Sequence, residues 1–170
     1  MAECLVCHCI KNREFVIYEN SALAVLIHPS PAVAGHLMIV PKEHFPIVES
    51  VPDAIIKEMM VVSAKMSVLL FEALQAQGTN TLWLNGAPAH QQFNHAALHV
   101  IPRKENDNLM LSWAPKQLSD DEMSTAELKL KEGSKEVGIP EPKKVIPVEV
   151  KKAETAKEDD WRLKYLNRIP

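Results

Sequence analysis

The chain lacks any clustered run of lysine and arginine, and over 170 residues its formal net charge is −3. Duplex nucleic acid is therefore not expected as a main partner, because gripping a phosphate backbone takes grouped cations. A small nucleotide needs only a local pocket and is not excluded. No apolar run approaches the roughly 18 residues that would suggest a bilayer span, so no membrane is expected. The start, Met1-Ala2-Glu3-Cys4, is neither basic nor apolar enough for a secretory leader, and a cytoplasmic protein is expected. Cysteine is scarce. The three present all fall within positions 4–9 and cannot make a disulfide framework. In a reducing compartment such a group reads as metal ligands or free thiols. There is no internal repeat.

What is present is 46% hydrophobic residues, enough for one domain with a real core. Phe15 to Tyr18 and Ala22 to Ile27 read as strands joined by Glu19-Asn20-Ser21. His36 to Val40 reads as a third strand, entered through Gly35 and stopped at Pro41. Pro52 and Asp53 open a long helix whose apolar positions (Ile55, Ile56, Met59, Met60, Val62, Met66, Leu69, Leu70) follow helical spacing toward Gln77, with Gly78 closing it. Asn80 to Leu84 reads as a fourth strand, Asn85 to Gln91 as a polar loop and Phe93 to Ile101 as a fifth strand. Strands that do not alternate regularly with helices predict an α+β fold: an antiparallel sheet of about five strands, one long helix and a C-terminal extension. The expected division is a domain over 1–112 and an extension over 113–170. Within the extension, Ser119 to Glu122 has capping-box spacing and could start a helix toward Val137, stopped by Gly138. Beyond lie Pro140-Glu141-Pro142, a charged stretch from Lys151 to Asp160, and a short amphipathic end at Trp161 to Leu166.

The most specific segment is Asn94-His95-Ala96-Ala97-Leu98-His99-Val100-Ile101-Pro102-Arg103. If it is a strand, positions 95, 97 and 99 share one face. A bare pair of histidines four apart is most often two hydrogen-bonded core residues. The context adds Gln91 four residues earlier, Asn85-Gly86 before that, and a second segment, Gly35-His36-Leu37-Met38-Ile39-Val40-Pro41-Lys42-Glu43-His44. Together with Cys4-Leu5-Val6-Cys7, these segments resemble the histidine-triad (HIT) family of nucleotide hydrolases and transferases over about residues 4–103.

The resemblance implies a homodimer that acts on purine nucleotide conjugates, such as dinucleoside polyphosphates or adenosine phosphoramidates. In that chemistry the middle histidine attacks the α-phosphorus and forms a nucleotidyl-histidine, which water then opens. Here Ala97 occupies the nucleophile's position and has no lone pair to offer. Two accounts of Ala97 fit. It is an engineered replacement that traps a bound nucleotide, which the otherwise intact motif favours, or it is natural divergence toward a binding protein. The expectation is a chain that binds AMP or a nucleotide conjugate and turns over poorly. The alternative is a zinc-stabilised nucleotide-binding or adaptor protein that is not catalytic.

By the same resemblance, His99, Asn85 and Gln91 orient the phosphate, with Gln92 beside them, and Leu26 lies against the base. His28 stands where the family often places an acidic or amide residue that contacts ribose, and His90 stands in place of a frequent glycine. Cys4 and Cys7 have the spacing of a zinc knuckle, which alone also fits two half-buried thiols. The resemblance completes a structural Zn2+ site with His44 and His95. His8, Cys9 and His36 are read as bystanders, His36 as a packing or hydrogen-bonding residue.

Overall fold

The computed structural model describes residues 4–135 and Val137. Its elements run α1 (Leu5–Asn12), β1 (Val16–Glu19), β2 (Leu23–Ile27), β3 (Leu37–Pro41), α2 (Asp53–Leu74), β4 (Gly78–Trp83), β5 (Leu98–Arg103) and α3 (Asp120–Ser134). The five strands form one antiparallel sheet in the order β1-β2-β3-β5-β4, which gives the α+β architecture expected. The chain divides into two units at the boundary between Met110 and Leu111. The sheet, α1 and α2 lie in the first, and α3 lies in the second. Among the described residues no helix is long and apolar enough to cross a membrane.

Local chemistry explains the hairpins and the layers. Asn20 Oδ1 accepts the N–H groups of Ala22 and Leu23 at 2.9 and 2.8 Å, a side-chain turn that closes β1 onto β2. Side chains then alternate across the sheet. Leu23, Val25, Leu37, Ile39, Leu98 and Val100 face α2, which answers with Met59, Val62, Met66 and Leu70 at helical spacing. On the other face, Ala24, Leu26, Met38, Val40 and Ala97 meet Val6 and Cys9 of α1. Each fully buried aliphatic side chain stabilises this sandwich by about 1.5–3 kcal/mol before opposing entropy. The alternation has a further consequence. Residues 24, 26 and 28, residues 36, 38 and 40, and residues 97 and 99 all fall on the α1 face.

Several boundaries differ from expectation. The N-terminal cysteines sit at the start of a helix, α1, with Cys4 as N-cap. Gly78 opens β4, and α2 ends earlier, at Leu74, capped by Gln75 in a left-handed conformation with φ of 55°. β3 includes Pro41, paired with Leu23. The largest shift is in β5, which begins at Leu98 (not at Phe93), so His95 and Ala97 precede the strand. Ala96 and Ala97 are buried against opposite faces of the sheet, and their apolar pattern imitates a strand without the pairing. α3 carries the expected capping box between Ser119 and Glu122 but ends at Ser134, before Val137. Gly138 and all later segments read from the sequence lie outside the described residues.

Gly35 precedes β3 with φ of +87°, and a Cβ there would meet Leu74 Cδ1 of α2. Both facts favour glycine. Gly35→Ala is expected to cost about 1–3 kcal/mol, seen as a lower urea midpoint at unchanged m value. An unchanged midpoint would contradict this reading of the β3 entry.

Candidate functional site

Two histidine clusters flank β3. At its C-terminal end, Cys4, Cys7, His44 and His95 bring one ligand atom each within 4.8 Å of one another. Cys4 Sγ lies 3.6 Å and Cys7 Sγ 3.5 Å from His95 Nδ1, and Cys7 Sγ lies 3.3 Å from His44 Nδ1. Zinc bonds of about 2.3 Å to sulfur and about 2.0 Å to nitrogen, at tetrahedral angles, set sulfur and nitrogen about 3.5 Å apart. The observed spacings match. The tautomer matches too. His95 is 1% exposed, and its Nε2–H donates to the Pro41 carbonyl at 2.9 Å, which turns the Nδ1 lone pair toward the two thiols. Burial pushes the His95 imidazole down, the neutral form a metal ligand needs, with His44 adding to the shift. The four residues expected as metal ligands are therefore brought together in a set that fits zinc. Cys9 is buried in the apolar cluster and His8 is bonded to Asn12, so neither joins them.

At the N-terminal end of β3, His28, His36 and His99 form the second cluster, all buried. His36 Nε2 and His99 Nδ1 are 3.0 Å apart, and the His28 ring stacks on His36 with centroids 4.4 Å apart and planes at 13°. Burial lowers the His36 imidazole to about 3 and that of His99 to about 4, with neighbouring imidazoles adding to the effect. Burial lowers His28 as well. Three imidazoles in mutual contact and away from water remain neutral. His36 is thus the hydrogen-bonding residue expected of it, directed at His99. Ala97 lies on the same sheet face, 8% exposed, in a cluster against which Phe93 packs. Phe93 also meets the His28 ring, with centroids 5.6 Å apart.

The polar loop is tied internally. Gln91 Oε1 accepts from the Gly86 N–H at 2.7 Å, and its Nε2 donates to the carbonyls of Pro46 at 2.7 Å and Phe93 at 2.8 Å. All its hydrogen-bonding directions but one lone pair are taken by these bonds, so Gln91 shapes the loop. Asn85 accepts from the Val48 N–H and donates to Glu49, keeping one amide hydrogen uncommitted by these bonds. Gln92 is exposed. Leu26 is completely buried, so it underlies the α1 face and offers no surface to a base. His28 accepts the Ser30 N–H at Nδ1, a turn contact that leaves its ring inside the cluster. The partners at Pro41, Pro46, Val48 and Glu49 carried no sequence signal, because three are backbone groups and Glu49 is 36 residues from Asn85.

Comparison with known proteins now gives the family. The HIT domain family profile matches residues 10–106. The chain is 31% identical to the adenylylsulfatase HINT3 of Arabidopsis thaliana over 68% of its own length, spanning 58% of that relative. It is 26% identical to the adenosine 5'-monophosphoramidase HNT1 of Saccharomyces cerevisiae, covering 72% of this chain and 77% of the relative. Among solved structures, a histidine triad nucleotide-binding protein from Candida albicans is similar, with a TM-score of 0.68 and 26% identity, covering 79% of this chain and 99% of that one. The chain belongs to the HIT domain family, whose matched relatives include nucleotide hydrolases.

The histidine environments yield a pH prediction. In the unfolded chain His36 and His99 protonate near pH 6.5, whereas in the folded chain they stay neutral until about pH 3 and 4. Their contribution to stability is therefore complete above pH 6.5 and is lost as the pH falls below it, at up to about 1.4 kcal/mol per pH unit per histidine. The ring-proton NMR signals of both residues are expected to stay unshifted from pH 8 to pH 5. A midpoint near 6.5 for either would contradict their burial as neutral groups.

Proposed function

We propose that this HIT-family chain binds a purine nucleoside phosphate on the α1 face of its sheet, with the phosphoryl group beside Ala97 and His99. We further propose that it descends from nucleotidyl hydrolases or transferases whose covalent step it no longer completes. The observation that carries the reading is Ala97 itself. It precedes His99 by two residues, on the same face, where a histidine would place its imidazole among the neutral rings of the second cluster. With histidine there, the imidazole nitrogen would bond to the α-phosphorus as the leaving group departs with its electron pair. Water would then cleave the phosphorus–nitrogen bond, releasing the nucleoside monophosphate and restoring the imidazole. A methyl group supplies no such electron pair, so binding remains and turnover stops. The relatives named as an adenylylsulfatase and an adenosine 5'-monophosphoramidase support an adenosine nucleotide as the ligand.

One observation favours the alternative, a binding protein without a catalytic role. A second departure from the family pattern, His28, touches both His36 and His99, with ring centroids 4.4 and 5.5 Å away. Departures at two positions, 28 and 97, support natural divergence of the pocket over a single engineered replacement. Restoring the nucleophile separates the readings. Ala97→His is expected to raise turnover of a fluorogenic adenosine phosphoramidate by on the order of 10³-fold or more, given what loss of a nucleophile costs elsewhere. If both proteins are equally inert while AMP still binds by calorimetry, the binding-protein reading replaces the enzymatic one.

The first cluster holds structural zinc in this reading. Its four protein ligands would fill a tetrahedron and leave no open position, so the ion would fasten α1 to the sheet without joining the chemistry. Purified protein is expected to contain about one zinc per chain. Cys4→Ser is expected to lower that content and the melting temperature together. Zinc-free protein of unchanged melting temperature would refute the site.

A further inference from the structure

The second cluster has the composition of another metal site, since His28, His36 and His99 bring three ring nitrogens within 4.8 Å of one another. Its hydrogen bonds run the other way. The Ser30 N–H donates to His28 Nδ1 at 3.0 Å, and the Ala32 N–H donates to His36 Nδ1 at 3.2 Å. A nitrogen that accepts carries the lone pair, so in each neutral ring the proton sits on Nε2. His36 Nε2–H then donates to His99 Nδ1 at 3.0 Å, which places the His99 proton on its Nε2. Two backbone amides thereby set the tautomers of three side chains.

The contrast with His95 is direct. A histidine that ligates a metal gives its other N–H to an acceptor, as His95 does to the Pro41 carbonyl. For His36 to ligate through Nε2, its proton would have to move to Nδ1, head-on to the Ala32 N–H. His28 faces the same conflict with Ser30, and its Nδ1 is already an acceptor. Both opposing donors are backbone amides of the short segment before β3, between residues 28 and 36. They cannot turn away as a hydroxyl would.

We infer that His28, His36 and His99 form a tautomer-fixed chain of neutral rings that excludes metal ions, because each Nδ1 lone pair already accepts a hydrogen bond. Neither the tautomers nor the exclusion of metal rests on the nucleotide reading above.

Long-range ¹⁵N–¹H correlation NMR on labelled full-length protein at pH 7 tests the inference, without nucleotide and during titration with zinc chloride. All three rings are expected as Nε2–H tautomers. With one zinc per chain already expected at Cys4, Cys7, His44 and His95, added zinc is expected to leave His28, His36 and His99 unmoved at two equivalents. An Nδ1–H form at His36 or His99, or a second equivalent that shifts the trio, overturns the inference. Ala32→Pro removes one of the fixing amides. It is expected to give His36 and His99 mixed tautomers while His28 stays Nε2–H, and an unchanged His36 tautomer in a folded variant would also overturn it. Should Ala32→Pro fail to fold, the wild-type spectra and zinc titration decide alone. AMP added last is expected to shift the His99 Nε2–H proton. If AMP does not bind, the nucleotide reading fails and the tautomer result stands.

Discussion

The placement of strand β3 against the segment that becomes β5 governs everything else in this protein. The pairing is short, from Leu37 opposite Val100 to Ile39 opposite Leu98. Yet each end of β3 is tied to a histidine of the same segment. Before the strand, His36 bonds to His99, and at its last residue the Pro41 carbonyl accepts from His95. The Ala96 N–H continues the seam to the Phe45 carbonyl at 2.6 Å. A one-residue slip would turn His99 toward the apolar face under α2 and separate His95 from its carbonyl. Register, and not any single side chain, therefore decides that one imidazole meets thiols and the other meets imidazoles.

The two clusters use the same side chain in opposite senses. At one end a carbonyl orients His95 as an acceptor, suited to a cation that also needs two thiols and His44. At the other, two amides orient His28 and His36 so that His36 donates to His99 and each Nδ1 lone pair is already taken. The distinction lies in the backbone, which carries no residue-specific signal. Ala97 lies between the two histidines in sequence and shares the α1 face of the sheet with Leu26 and Met38. The loop from Asn85 to Gln91 is tied at both ends, by the Val48 N–H to Asn85 and by Gln91 to the Pro46 carbonyl.

Much of this was legible in the sequence, for identifiable reasons. α2 is long and periodic, so its stripe of Met59, Val62, Met66 and Leu70 could be assigned to one apolar face. The grouping of Cys4, Cys7, His44 and His95 was foreshadowed by recognisable segments in the right order. α1 was hidden because it is eight residues long and its N-cap, Cys4, makes no side-chain cap. The start of β5 was misplaced because small buried residues at 96 and 97 look like strand whether or not they pair. The loop-shaping bonds of Gln91 are invisible in the sequence because its partners, Gly86, Pro46 and Phe93, bond through backbone atoms. His28 looked like a turn residue and is one, through Ser30. That the turn also holds a ring against His36 required coordinates.

The central claim is that one histidine cluster receives a metal ion and the other refuses it. Anomalous diffraction above and below the zinc edge, from crystals grown with excess zinc, tests this most directly. The account predicts one strong anomalous peak enclosed by Cys4, Cys7, His44 and His95, and no peak among His28, His36 and His99. A peak between the three histidines, or none between the two cysteines, would contradict it.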